Sequence, residues 1–255
     1  MLLTSGCSFV WGDELEGFDT DPPSHQHLTF THLLAEKMDM PYINQGLCGS
    51  SNDRILRDLI DYLSDPSKEK PTHMVVMWSA WQRMEIAEPM SLERELEVCV
   101  NRPYGFTQFS PERIPVLSNL TQQTRHRRDL LEEYFNTSYD SRTDLAHHLT
   151  KMKTIQLLAD SLGIKIIQGT FHNRCWSNIV SQLRTKDLPQ YNQWLLKTIK
   201  SLPDTSKVGL GTKYRDLFTI TTEVGDMKEF MHPGEESQKV FAQQLFDMFT
   251  DKTLF

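Results

Sequence analysis

No run in this 255-residue chain approaches the roughly 18–20 consecutive apolar residues that a membrane-spanning helix needs. No basic segment leading into an apolar one opens it, so no export signal is read and the cytoplasm is the expected compartment. Cysteine is scarce. Cys7, Cys48, Cys99 and Cys175 form neither a C-x-x-C pair nor a zinc-like spacing, so no metal site is expected and reduced thiols are. Positive charge is in deficit, with 27 Lys and Arg against 34 Asp and Glu and a net charge of −7. That balance argues against nucleic acid as a partner. The one basic cluster, Arg125 to Arg128, is followed by Asp129, Glu132 and Glu133 at helical spacing and reads as a solvated helix start. Neither G-x-G-x-x-G nor a Walker-type loop occurs, so no nucleotide cofactor is expected.

What the chain does have is an alternation of strands and helices. Residues 1–5 read as a buried strand that runs into Gly6-Cys7-Ser8-Phe9. A helix is expected over 28–38 and a short strand over 41–44. Ser51 or Asn52 then caps a helix to Leu63, in which Ile55, Leu56, Leu59, Ile60 and Leu63 recur at helical spacing. Met74-Val75-Val76-Met77-Trp78 is continuously apolar, as in a strand covered on both faces. A helix over 144–162 stops at Gly163, and a strand follows over 164–168. Further helices are expected over 179–184, 189–199 and 235–249. This alternation predicts an α/β fold, a three-layer doubly wound parallel sheet. The whole of 1–255 reads as a single domain. Its segment 85–141 is read as an insertion over one end of the sheet, as a lid or an interface.

Ser8 ends the first strand, where open α/β sheets place their chemistry. Met231-His232-Pro233-Gly234, near the other end, offers an imidazole. On the residues alone, Ser8 reads as a turn cap sooner than as a nucleophile, and His232 as a helix-entry residue ahead of Pro233. His25 and His27 fall on a loop. His147 and His148 read as surface positions on a helix. His172, with Asn173 and Arg174, reads as pocket lining.

Three blocks in order resemble a known family. Gly6-Cys7-Ser8-Phe9 resembles the Gly-Asp-Ser-Leu block of the GDSL, or SGNH, hydrolases. Asn44-Gln45-Gly46-Leu47-Cys48-Gly49 resembles the family's Asn-x-Gly-x-x-Gly turn after the second strand. Glu229-Phe230-Met231-His232-Pro233 resembles its closing Asp-x-x-His-Pro block, with glutamate in place of aspartate. The resemblance implies a flavodoxin-like sheet and a serine esterase. Ser8 would be the nucleophile, His232 the base and Glu229 the acid that orients the ring, with Asp226 in reserve. The oxyanion would be met by the N–H groups of Ser8 and Gly49. The family's third-block asparagine is missing: Trp78-Ser79-Ala80-Trp81-Gln82-Arg83 puts Trp81 in its place. Trp81 itself, Ser79, Gln82, Arg83 or Asn52 are the substitutes on offer.

The expected substrate is an ester, with an O-acetyl group on a carbohydrate as the family-level expectation. The departure at Trp81 keeps open a non-catalytic module that binds glycans or builds a larger assembly such as a phage particle. Neither reading calls for a cofactor, a metal or a membrane. Both are compatible with a homo-oligomer or a virion.

Overall fold

The computed structural model describes residues 1–20, 24–79, 84–87, 106–109, 141–170, 190–209, 214–229 and 231–255. In chain order its elements are β1 (Leu2–Gly6), α1 (Ser8–Trp11), a 3-10 turn (His25–Leu28), α2 (Phe30–Lys37), β2 (Tyr42–Gly46), α3 (Asn52–Ser64) and β3 (His73–Trp78). There follow β4 (Met84–Ala87), β5 (Phe106–Phe109), α4 (Ser141–Leu162), β6 (Lys165–Thr170) and α5 (Gln190–Ser201). A 3-10 turn (Asp204–Ser206), α6 (Leu217–Val224) and α7 (Glu235–Thr250) complete the described chain.

The main sheet has the order β2-β1-β3-β6, parallel throughout. Beyond β6, Val208 makes a single parallel bridge to Gly169, where a fifth strand would add. β1 is buried along its whole length because both of its edges are paired and both of its faces are covered. The apolar run of β3 resolves by the two-residue period of a strand. Leu3, Met74, Val76, Trp78 and Ile166 pack with Ile55 and Leu59 of α3, Leu149 and Met152 of α4, and Leu195 of α5. Leu2, Val75, Met77 and Ile167 pack with Phe9 and Val10 of α1, Phe30 and Leu34 of α2, Ile220 of α6, and Phe241 and Leu245 of α7. Helices on both faces of a parallel sheet make this the three-layer, doubly wound architecture expected from the alternation.

Some local expectations change. Residues 8–11 are helical rather than a simple turn, and β2 runs on to Gly46. α6 has no counterpart in the sequence reading. Its Thr219-Ile220-Thr221-Thr222 core is β-branched and a poor helix former. The Asp216 carboxylate accepts the Thr219 N–H at 2.8 Å, Gly225 stops the helix at φ 81°, and Leu217, Phe218 and Ile220 are buried. Caps and burial together outweigh propensity here. Within 85–141, β4 and β5 pair antiparallel; most of the rest of that segment, and the helix expected over 179–184, lie outside the described residues. Among the described residues no helix is long and apolar enough to cross a membrane.

Candidate active site

The nucleophile position is built by the sharp exit from β1. A Cβ on Gly6 would lie 2.7 Å from the Met77 carbonyl oxygen and closer still to Val10, so only glycine lets α1 fold back on the sheet. Ser8 opens α1 and is buried. Gly12, at φ 87°, ends the helix with its N–H on the Ser8 carbonyl at 2.9 Å. The Asp13 N–H bonds the same carbonyl at 3.0 Å, so Asp13 and Glu14 are carried back beside Ser8. Glu14 itself sits at φ 64°, a strained conformation for a residue with a side chain.

His232 arrives from the far end of the chain, on the loop between α6 and α7. Asp226 anchors this loop by accepting hydrogen bonds from the N–H of Ser237, at 2.9 Å, and from its hydroxyl. A turn closes from the Lys228 N–H to the His232 carbonyl at 2.9 Å, with Met231 at φ 68°.

The two segments meet at the imidazole. Nε2 of His232 is 2.9 Å from Ser8 Oγ, and Nδ1 is 2.7 Å from Glu14 Oε2. The same Glu14 oxygen accepts the His232 N–H at 3.4 Å, and the Phe9 ring tilts against the imidazole at 5.4 Å. A carboxylate at Nδ1 keeps the ring proton there and leaves the Nε2 lone pair facing the serine hydroxyl. The arrangement is a hydroxyl, a base and an orienting acid in hydrogen-bonded series.

Glu229, the acid expected from the closing block, does not hold the imidazole. It is exposed on the turn before His232, and Glu14 occupies Nδ1 instead. Asp226, the reserve, is committed to Ser237. The sequence carries one usable hint of Glu14, an acidic pair directly after a helix-stopping glycine, but nothing in it says which way that pair turns.

Gly49, at φ 77°, lies in the turn that follows β2. There the Leu47 N–H reaches the Gly6 carbonyl at 3.1 Å, so this turn borders the Ser8 turn. Asn44 ties the two together. It donates to the Val10 carbonyl at 2.8 Å and accepts from the Gly46 N–H at 2.8 Å. Asn52 proves to be a brace, not an exposed donor. Its Oδ1 accepts the Ser79 N–H at 2.8 Å, while Nδ2 bonds the Ser79 carbonyl and His148 Nδ1, each at 3.1 Å. His148 is therefore a core residue, not a surface one. Burial first, then the nearby charge of Lys151, holds its pKa down at about 3. His25 is likewise buried, with Nε2 2.8 Å from the Trp11 carbonyl. Ser79, the residue after β3, is buried, and its hydroxyl has no hydrogen-bond partner among the described residues. Trp81, Gln82, Arg83, His172, Asn173 and Arg174 lie outside the described residues.

Asp13 also faces the imidazole, with Oδ2 3.5 Å from Nε2. Its carboxylate accepts a hydrogen bond from Cys48. Cys48 is an exposed residue, but partial desolvation of its thiol first, then the Asp13 charge and hydrogen bond, push its pKa up to about 12. A thiol so poised is a poor nucleophile. Cys7 and Cys48 are both free. Among the described residues no group of His, Cys, Asp and Glu is arranged to hold a metal ion.

No family model and no curated protein matches the chain. Solved structures do. The chain is similar to a member of the lipolytic protein G-D-S-L family from Veillonella parvula, at 12% identity and TM-score 0.46 over 98% of both chains. A carbohydrate esterase with divergent catalytic and non-catalytic binding functions aligns at 13% identity and TM-score 0.48, over 98% of this chain and 68% of the other. The acetyl xylan esterase Est2A from Butyrivibrio proteoclasticus aligns at 12% identity and TM-score 0.45, over 99% and 64%. With identities this low, the chemistry of the site rests on its own side chains.

Proposed function

We propose that this protein is a serine hydrolase that cleaves an ester through an acyl-serine intermediate. The single observation that carries this reading is the series Ser8 Oγ, His232 Nε2 and Nδ1, Glu14 Oε2, with links of 2.9 and 2.7 Å. Ser8 attacks the ester carbonyl as its proton passes to Nε2. Glu14 stabilises the imidazolium that forms. Backbone N–H groups at Ser8 and Gly49 are the donors proposed for the oxyanion, with the Ser79 hydroxyl as a third. His232 then protonates the departing alcohol, and in the second half-reaction takes a proton from the water that releases the acid. An O-acetyl group on a carbohydrate is the finer reading, implied by the sequence resemblance, and the first substrate class to assay.

Intact mass after incubation with a fluorophosphonate tests the reading. A single adduct on the wild type, absent from Ser8→Ala and strongly slowed in His232→Ala, is the expected result. A folded wild type that takes no adduct would sink the proposal in favour of the glycan-binding or structural module.

A further inference from the structure

The acyl-transfer chemistry leaves one carboxylate of the site unused. Asp13 Oδ2 lies 3.5 Å from His232 Nε2, the nitrogen that faces Ser8 Oγ at 2.9 Å, whereas Glu14 occupies the opposite nitrogen. The bond from the Asp13 N–H to the Ser8 carbonyl fixes this residue relative to the nucleophile. The Asp13 side chain is 21% exposed, so solvent and an incoming substrate can reach it. Among the described residues no Lys or Arg pairs with it. Its partners are the Cys48 thiol, a neutral donor, and an imidazole that is neutral whenever it acts as a base. Among the described residues, then, no cationic side chain offsets this charge.

We propose that Asp13 is a specificity-determining residue: it selects uncharged or cationic esters and rejects esters that carry a carboxylate or phosphate close to the scissile bond. The inference rests on the hydrolase reading above. Any acyl group on Ser8 shares the Nε2 side of the ring with this carboxylate. A substrate anion about 7 Å away, at an effective dielectric of about 40, is disfavoured by roughly tenfold in kcat/KM. A substrate hydroxyl or ammonium instead finds an ionised acceptor.

Three fluorophosphonates, with a neutral, a carboxylate-bearing and a trimethylammonium-bearing tail, test this by the rate of adduct formation on Ser8. The expected wild-type order is cationic, then neutral, then anionic, with about tenfold between the last two. Asp13→Asn should collapse that ratio towards one, and Asp13→Glu should restore it. Raising the salt concentration should also narrow the wild-type ratio, and Asp13→Ser is the second variant if Asp13→Asn folds poorly. A role confined to pinning the Cys48 turn would leave the ratio unmoved by Asp13→Asn, whatever salt does, and that result overturns the proposal. Equal labelling of the wild type by all three probes overturns the specificity alone; labelling by none overturns the hydrolase reading with it.

Discussion

Glu14 and His232 are 218 positions apart in the chain and 2.7 Å apart in the fold. That contact makes a sharp prediction about which acid orients the ring. Glu14→Ala is expected to lower kcat by about 100- to 10,000-fold with little change in KM, whereas exposed Glu229→Ala should stay within about twofold. The reverse pattern in steady-state kinetics would return the role to Glu229. His148 makes a second prediction, about stability. Its folded pKa of about 3 lies below the ordinary histidine value of 6.5, so between these values the unfolded chain binds the extra proton. Stability is therefore full above about pH 6.5 and falls as pH drops towards 3. The loss attributable to this group is about 2 kcal/mol at pH 5. Urea unfolding at pH 7 and pH 5 should show that difference in the wild type and a smaller one in His148→Gln. Ser8 and His232 stood out as candidates because short motifs surround them. Glu14 and buried His148 did not, because burial and partner choice have no local signature.

At the scale of elements, the strands and long helices were readable from period and punctuation. The continuously apolar run of β3, the Gly163 stop of α4 and the amphipathic α3 follow from residues close together in the chain. α6 escaped because its β-branched core argues for a strand, and only its caps and its place against the sheet make it helical. The loop that carries His232 depends in turn on the start of α7, where Asp226 accepts from Ser237 twice. Asp226→Ala is expected to cost roughly 1–2 kcal/mol in chemical denaturation and to slow labelling of Ser8, because His232 loses its anchor. Unchanged stability together with unchanged labelling would show that the loop is held by something else.

Across the whole molecule, the last helix packs on the sheet face that also carries the nucleophile helix. α7 docks on α2 through the Phe30 N–H on Gln238 Oε1 at 2.8 Å and an edge-on Phe30–Phe241 contact at 5.1 Å. Leu245, fully buried on the same face, belongs to the core that also holds Phe9 and Val10 of the nucleophile helix. Leu245→Ala is expected to cost about 2–5 kcal/mol by the cavity it leaves. A loss below about 1 kcal/mol, measured by urea unfolding, would mean that α7 is not part of the cooperative core. From the sequence alone come the α/β class, the serine at the end of the first strand and the histidine before the last helix. Hydrophobic period and turn chemistry are properties of neighbouring residues, and the chain displays them directly. The tertiary structure alone decided that Glu14 and not Glu229 meets the imidazole, that Asn52 braces Ser79, and that Asp13 stands beside the nucleophile. Each of these depends on where a strained turn sends a side chain and on which distant segment packs against it, and neither is encoded by spacing along the chain.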